Sequence, residues 1–191
     1  MQTDNNTLID ELLGIVEKTT EAAREFKSLG ERELNYREAP DRWSILECIE
    51  HLNRYGDFYL PELQRALLKS STTTGSGTLK SGVIGNYFAK LMQVRNGKMV
   101  KMKTPSVQNP LGSNLTVLTI DRFLKQQETL KILLAQARTA DLTNTKVRIT
   151  LTKFVKLRLG DMLRVLVYHI ERHIFQAQNV NRRLLELSGN S

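Results

Sequence analysis

Apolar residues recur at three- and four-residue steps in four stretches of the chain, the spacing that gathers them on one face of a helix. Leu8, Leu12, Ile15, Val16, Thr19, Ala23 and Phe26 carry the first stretch and predict a helix over residues 5–28, stopped by Gly30. A second helix is predicted to open at residues 41–44. There the Ser44 hydroxyl can accept from the backbone N–H of Glu47 while the Glu47 carboxylate reaches back. Its apolar positions include Ile45, Ile49, Leu52, Phe58, Tyr59 and Leu63, and it should end near Lys69. Pro61 removes one backbone donor within that span, so the helix either kinks or divides there, with His51 in the first half in both cases. The third helix is expected over residues 119–139, on Ile120, Phe123, Leu124, Gln127, Leu130, Leu134 and Ala137. Gly160 and Asp161 open the last, which carries Leu163, Leu166, Val167, Ile170, Ile174, Ala177, Val180 and Leu184 and reaches to about Leu187.

Between the second and third helices the period is lost. Residues 71–77 are Ser, Thr and Gly only, flexible by composition, and residues 99–118 contain two prolines. A short helix over residues 83–93 is the one regular element expected there. A connection this long covers something or crosses between distant helix ends, as it does in bundles whose consecutive helices run parallel. Residues 143–158 form a second polar interlude, rich in β-branched residues and read as extended. The expected fold is therefore all-α: one domain over residues 1–191, a four-helix bundle with a long crossover connection between its second and third helices.

Length and composition agree with that reading. A chain of 191 residues can bury a sizeable core without disulfides, and Cys48, the single cysteine, excludes both an intramolecular disulfide and a thiolate metal cluster. Cys48 itself is expected to pack as a small core residue. Residues 1–10 lack the basic start and apolar core of a secretory signal, and no apolar run reaches the roughly 20 residues that span a bilayer. The expectation is a cytoplasmic protein with no membrane partner. The net charge of +8 is localised: no Asp or Glu lies between Leu63 and Ile120, whereas Arg65, Lys69, Lys80, Lys90, Arg95, Lys98, Lys101 and Lys103 do. No nucleic-acid-binding motif accompanies these charges, so the stretch is read as a solvated connection or a surface for a small anion, not a nucleic-acid interface.

The chain has three histidines. His169 and His173 are four apart on the last predicted helix and so share one face, while His51 lies on the second predicted helix. Two imidazoles from one helix and a third from a neighbour can hold a metal ion and leave a coordination position open, the pattern of a catalytic site. Gln176, one turn beyond His173, is placed to orient an imidazole or to reach a coordinated water. Glu47, one turn before His51, is a candidate general base or orienting carboxylate in addition to its capping role. Trp43 is read as an anchor for the start of the second helix; Arg172 as half of an ion pair, with contact to an anionic substrate as the alternative; and Lys101 and Lys103 as solvated, with contact to a carboxylate-bearing thiol as theirs.

The runs Trp43-Ser44-x-x-Glu47-x-x-x-His51-Leu52 and His169-x-x-x-His173-x-x-Gln176 resemble the DinB/YfiT-like superfamily of four-helix-bundle metalloenzymes. Residues 101–105 (Lys-Met-Lys-Thr-Pro) and 157–161 (Leu-Arg-Leu-Gly-Asp) resemble further segments of that group. The resemblance implies that His51, His169 and His173 bind a divalent ion, commonly nickel or zinc. It also implies a small-molecule substrate, with a low-molecular-weight thiol such as bacillithiol, mycothiol or glutathione as co-substrate. The leading expectation is thus a metal-dependent thiol S-transferase, with a metal-assisted hydrolase using the same ligands as its alternative. A non-catalytic bundle that binds a metal or an anion is the rival from another class. Exposed apolar faces on such a bundle would favour a homodimer.

Overall fold

The computed structural model describes residues 1–70, 77–150 and 152–189. The tract 71–76, read as flexible by composition, lies outside the described residues. Strand β1 (Gln2–Asp4) leads into α1 (Asn5–Glu25), α2 (Glu31–Leu34), α3 (Ile45–Leu68), β2 (Thr78–Lys80) and α4 (Val83–Met92). Then follow α5 (Leu118–Ala137), β3 (Lys146–Ile149), β4 (Thr152–Arg158) and α6 (Leu159–Gly189). The protein is mostly helical. Helix α1 packs on α5 and α6, and α3 packs on the same two helices from the other side. Apolar residues of all four meet in one core, in which Leu8, Leu12, Ile49, Leu63, Ile120, Phe123, Leu134, Leu163 and Val167 are fully buried. Each such side chain contributes about 1.5–3 kcal/mol relative to exposure.

The helix ends follow from local chemistry. Asp4 caps α1 by accepting from the Thr7 N–H at 3.0 Å, and the helix tightens into a 3-10 turn over Phe26–Ser28 before Gly30. Ser44 and Glu47 form the expected reciprocal box at the start of α3, with the two bonds at 3.2 and 2.9 Å. Helix α3 continues through Pro61 without dividing. It approaches α5 closely at Gly56, where an added Cβ would run into the Gln126 side-chain amide. Gln126 uses that proximity to donate to Asn53 O at 3.1 Å and to the Asp57 carboxylate at 2.9 Å, fastening the two helices.

Strands are where the structure departs most from the pattern of the sequence. The interlude read as extended is the antiparallel hairpin β3–β4, with an irregularity between Arg148 and Ile149. A second two-stranded sheet had no local signal: β1 pairs antiparallel with β2, matching Thr3 to Leu79 across 76 positions of chain. Three-residue strands carry no period, and their pairing is decided by where the long connection returns to the bundle. The short helix expected at residues 83–93 is α4, which packs on α6 with buried Gly85 so close to Asp161 that a Cβ would lie 2.5 Å from it. Asp161 accepts from the Gly82 N–H at 2.7 Å, and the buried Arg164 ties Ser81, Asn86 and Asp161 together. The connection is therefore held onto α6 at one end of α4, and it lies over the face that carries the histidines.

Candidate metal centre

Helix α3 delivers His51 from its second turn, and α6 delivers His169 and His173 from one face. One ring nitrogen of each lies within 4.8 Å of the others, and all three residues are buried. The Nε2 atoms of His51 and His169 are 3.2 Å apart. Two nitrogens held tetrahedrally at about 2.0–2.1 Å from a zinc-like ion would be separated by about 3.3 Å. The donor set therefore fits a divalent ion, with no cysteine needed.

Two of the rings are oriented from behind. His51 Nδ1 lies 2.8 Å from the carbonyl oxygen of Gln108, and His173 Nδ1 lies 3.0 Å from Gln176 Oε1. Both partners are acceptors, so each Nδ1 carries the proton and each Nε2 keeps its lone pair for the centre. Burial drives all three imidazoles toward the neutral form, His51 down to about 4 and the other two well below the usual histidine value. For His169 and His173 the neighbouring histidines push in the same direction. Neutral rings are what a metal ligand requires at pH 7.

The cluster opens into a cleft of about 790 Å³ between α3, α6, α4 and the hairpin. Gln176 and Trp43 line it; Glu47 does not. The Glu47 carboxylate is taken up by other groups: the Arg37 guanidinium at 2.6 and 2.9 Å, the Ser44 N–H and, at 2.7 Å, the Gly112 N–H. A carboxylate so occupied anchors the connection against the start of α3, with both of its oxygens engaged. Burial alone would raise the Glu47 carboxyl, but Arg37 and the two backbone donors outweigh it and hold it below the usual value.

Further ties hold the same stretch over the site. Arg54 donates to Asn109 O at 3.0 Å, and the Trp43 indole donates to Asn109 Oδ1 at 3.0 Å. The Trp43 ring lies 4.8 Å from that of His51, so it reaches the centre as well as anchoring the helix. Gln108 and Tyr55 are site residues that the sequence reading passed over. Gln108 acts through a backbone carbonyl, which no side-chain pattern betrays. Tyr55, four residues after His51, did carry the helical spacing, and its ring packs 4.8 and 4.6 Å from His51 and His169. Arg172, expected in an ion pair, has no carboxylate partner among the described residues and donates instead to Val100 O.

Cys48 is fully buried, belongs to the apolar core, and has its thiol pushed up by burial, so it is no ligand. Native protein should accordingly leave Cys48 unmodified by a thiol-specific disulfide reagent, with one thiol appearing only on denaturation. Rapid reaction in the native state would place it elsewhere.

No helix of the described residues is long and apolar enough to cross a membrane. Comparison with curated proteins and with solved structures gave no match. Family comparison did: residues 15–177, which include all three histidines, the whole of α3 and the part of α6 that carries His169 and His173, match the DinB superfamily, and the chain belongs to it.

Proposed function

We propose that the protein is a metal-dependent enzyme of the thiol S-transferase type, built as one four-helix-bundle domain with the segment between α3 and α5 as its crossover. In this reading His51, His169 and His173 hold a nickel or zinc ion. The observation that carries it is the convergence of three buried, neutral imidazoles on one side of an open cleft, two of them oriented by acceptors behind. Three ligands and an accessible face favour a reactive site over a structural one, which closes all four positions.

A divalent ion bound there would favour the thiolate form of a coordinating thiol at neutral pH. The chain's own residues supply orientation and shelter. Gln176 and the Gln108 carbonyl fix two rings, and Trp43, Tyr55, Phe88 and Met162 wall the cleft. In the transfer, the thiol sulfur bonds to an electrophilic carbon, the leaving group departs with its electron pair, and the thiol proton passes to water. Membership of the superfamily is compatible with metal binding and leaves the thiol and the electrophile to experiment.

The test is consumption of a small thiol with an electrophile such as 1-chloro-2,4-dinitrobenzene. Activity should disappear after chelation and dialysis and return on adding zinc or nickel. Turnover that survives complete metal removal would refute the proposal.

A further inference from the structure

Arg172 stands one residue before the ligand candidate His173, lines the cleft and is only 7 % exposed. Its Nη2 donates to Val100 O, but its Nη1 has no hydrogen-bond partner. No described carboxylate lies within ion-pair distance of it. A buried guanidinium without a counter-charge is costly, and the cleft that Arg172 lines is the space beside it that a compensating group can occupy. The rest of the lining agrees in sign. Glu38 is spent on Arg183, which leaves Asp41 as the other acidic residue of the wall against Arg42, Lys101 and Lys103.

We propose that Arg172 is an anion subsite, receiving through Nη1 the carboxylate of the small molecule whose sulfur reaches the three histidines. The substrate class is then a carboxylate-bearing thiol. This deepens the reading given under Proposed function and rests on it for the placement of the sulfur. A carboxylate is favoured over a phosphate because a phosphate calls for several convergent donors. Arg172 brings one free nitrogen, and the neighbouring walls are thioether and aromatic, with Met92, Met99, Met102 and Met162 all facing the cleft. Methionine walls also adapt to apolar bodies of different shape, so the carboxylate would fix one end of the ligand while the remainder varies.

Calorimetric titration tests this without turnover. Mercaptoacetate, 3-mercaptopropionate and 6-mercaptohexanoate are each compared with the neutral carboxamide, on zinc-loaded and on metal-free protein, with inorganic phosphate as a further ligand. At least one acid should bind about 10-fold or more tighter than its amide to the zinc-loaded protein. Arg172→Met should abolish that preference while zinc content stays unchanged, and Arg172→Lys should keep part of it. Equal binding of acids and amides by the unaltered protein overturns the subsite whether or not Arg172→Met folds. Preference that persists in Arg172→Met also overturns it, as does Arg172-dependent binding of phosphate without any acid preference. A protein that takes up no zinc yet shows an Arg172-dependent acid preference would keep the subsite and refute the metal reading alone.

Discussion

Alanine at His51, His169 or His173 should reduce bound zinc from one equivalent per chain to near none in protein dialysed against a weak chelator. Zinc held by four protein ligands contributes roughly 10–16 kcal/mol, so each ligand is worth about 3 kcal/mol and its loss roughly 10²-fold or more in affinity. The three positions should behave alike, because each contributes one nitrogen to a cluster whose members lie within 4.8 Å of one another. Far-UV circular dichroism should keep its helical signal, since each change removes a side chain that lines the cleft and leaves the apolar residues joining the long helices in place. Gln176→Leu should fall between, at about 10- to 100-fold weaker binding, because it removes the acceptor behind His173 and leaves the ligand in place. Unchanged stoichiometry in all three histidine variants would end the assignment.

Glu47→Ala should be strongly destabilising, by about 1–3 kcal/mol in denaturant unfolding, the cost of leaving buried backbone donors without an acceptor. It strips the Ser44 and Gly112 N–H groups of their acceptor and leaves Arg37 without its partner. Gly112 has φ of +80°, the left-handed conformation that glycine supplies to the turn closed by the Ser113 N–H on the Pro110 carbonyl at 3.0 Å, and its N–H is the one that Glu47 accepts. The same residue gives the fold an acid limb. Its carboxyl is held below the ordinary 4.5, so on acidification the unfolded chain takes up that proton first. Its contribution is therefore complete above about pH 4.5 and is lost as the pH falls through the lower folded value. Glu47→Gln, with no such proton to gain, should show a flatter decline in stability over that window. Parallel acid limbs in the two proteins would mean that the Glu47 carboxylate is not what the connection hangs on.

The two helices that bring the histidines together were legible because their signals are local. The Ser44–Glu47 box and the four-residue spacing of His169 and His173 operate within one or two turns of helix, where backbone geometry alone decides which side chains align. Cys48 was legible for a similar reason: a small apolar side chain among Ile45, Ile49 and Leu52 belongs to their stripe. Glu47 shows the limit of the same reasoning. Its spacing from His51 permitted an acid–base role, and only the arrival of Arg37 and Gly112 from distant parts of the chain showed both oxygens occupied.

Periodicity along the chain thus determined the long helices, the face each one buries, and which histidines can share a side of α6. It could not determine how the segment between α3 and α5 returns. Beyond α4 that segment has no repeating apolar face to bury, and its position is set by single long-range bonds: Gln108 O to His51, Asn109 to Arg54 and Trp43, Gly112 to Glu47. Tertiary structure alone decided that His51 meets the other two rings and that Arg172 is buried without an acid. Both depend on which helices pack side by side, a choice made by the whole core and not by the residues that use it.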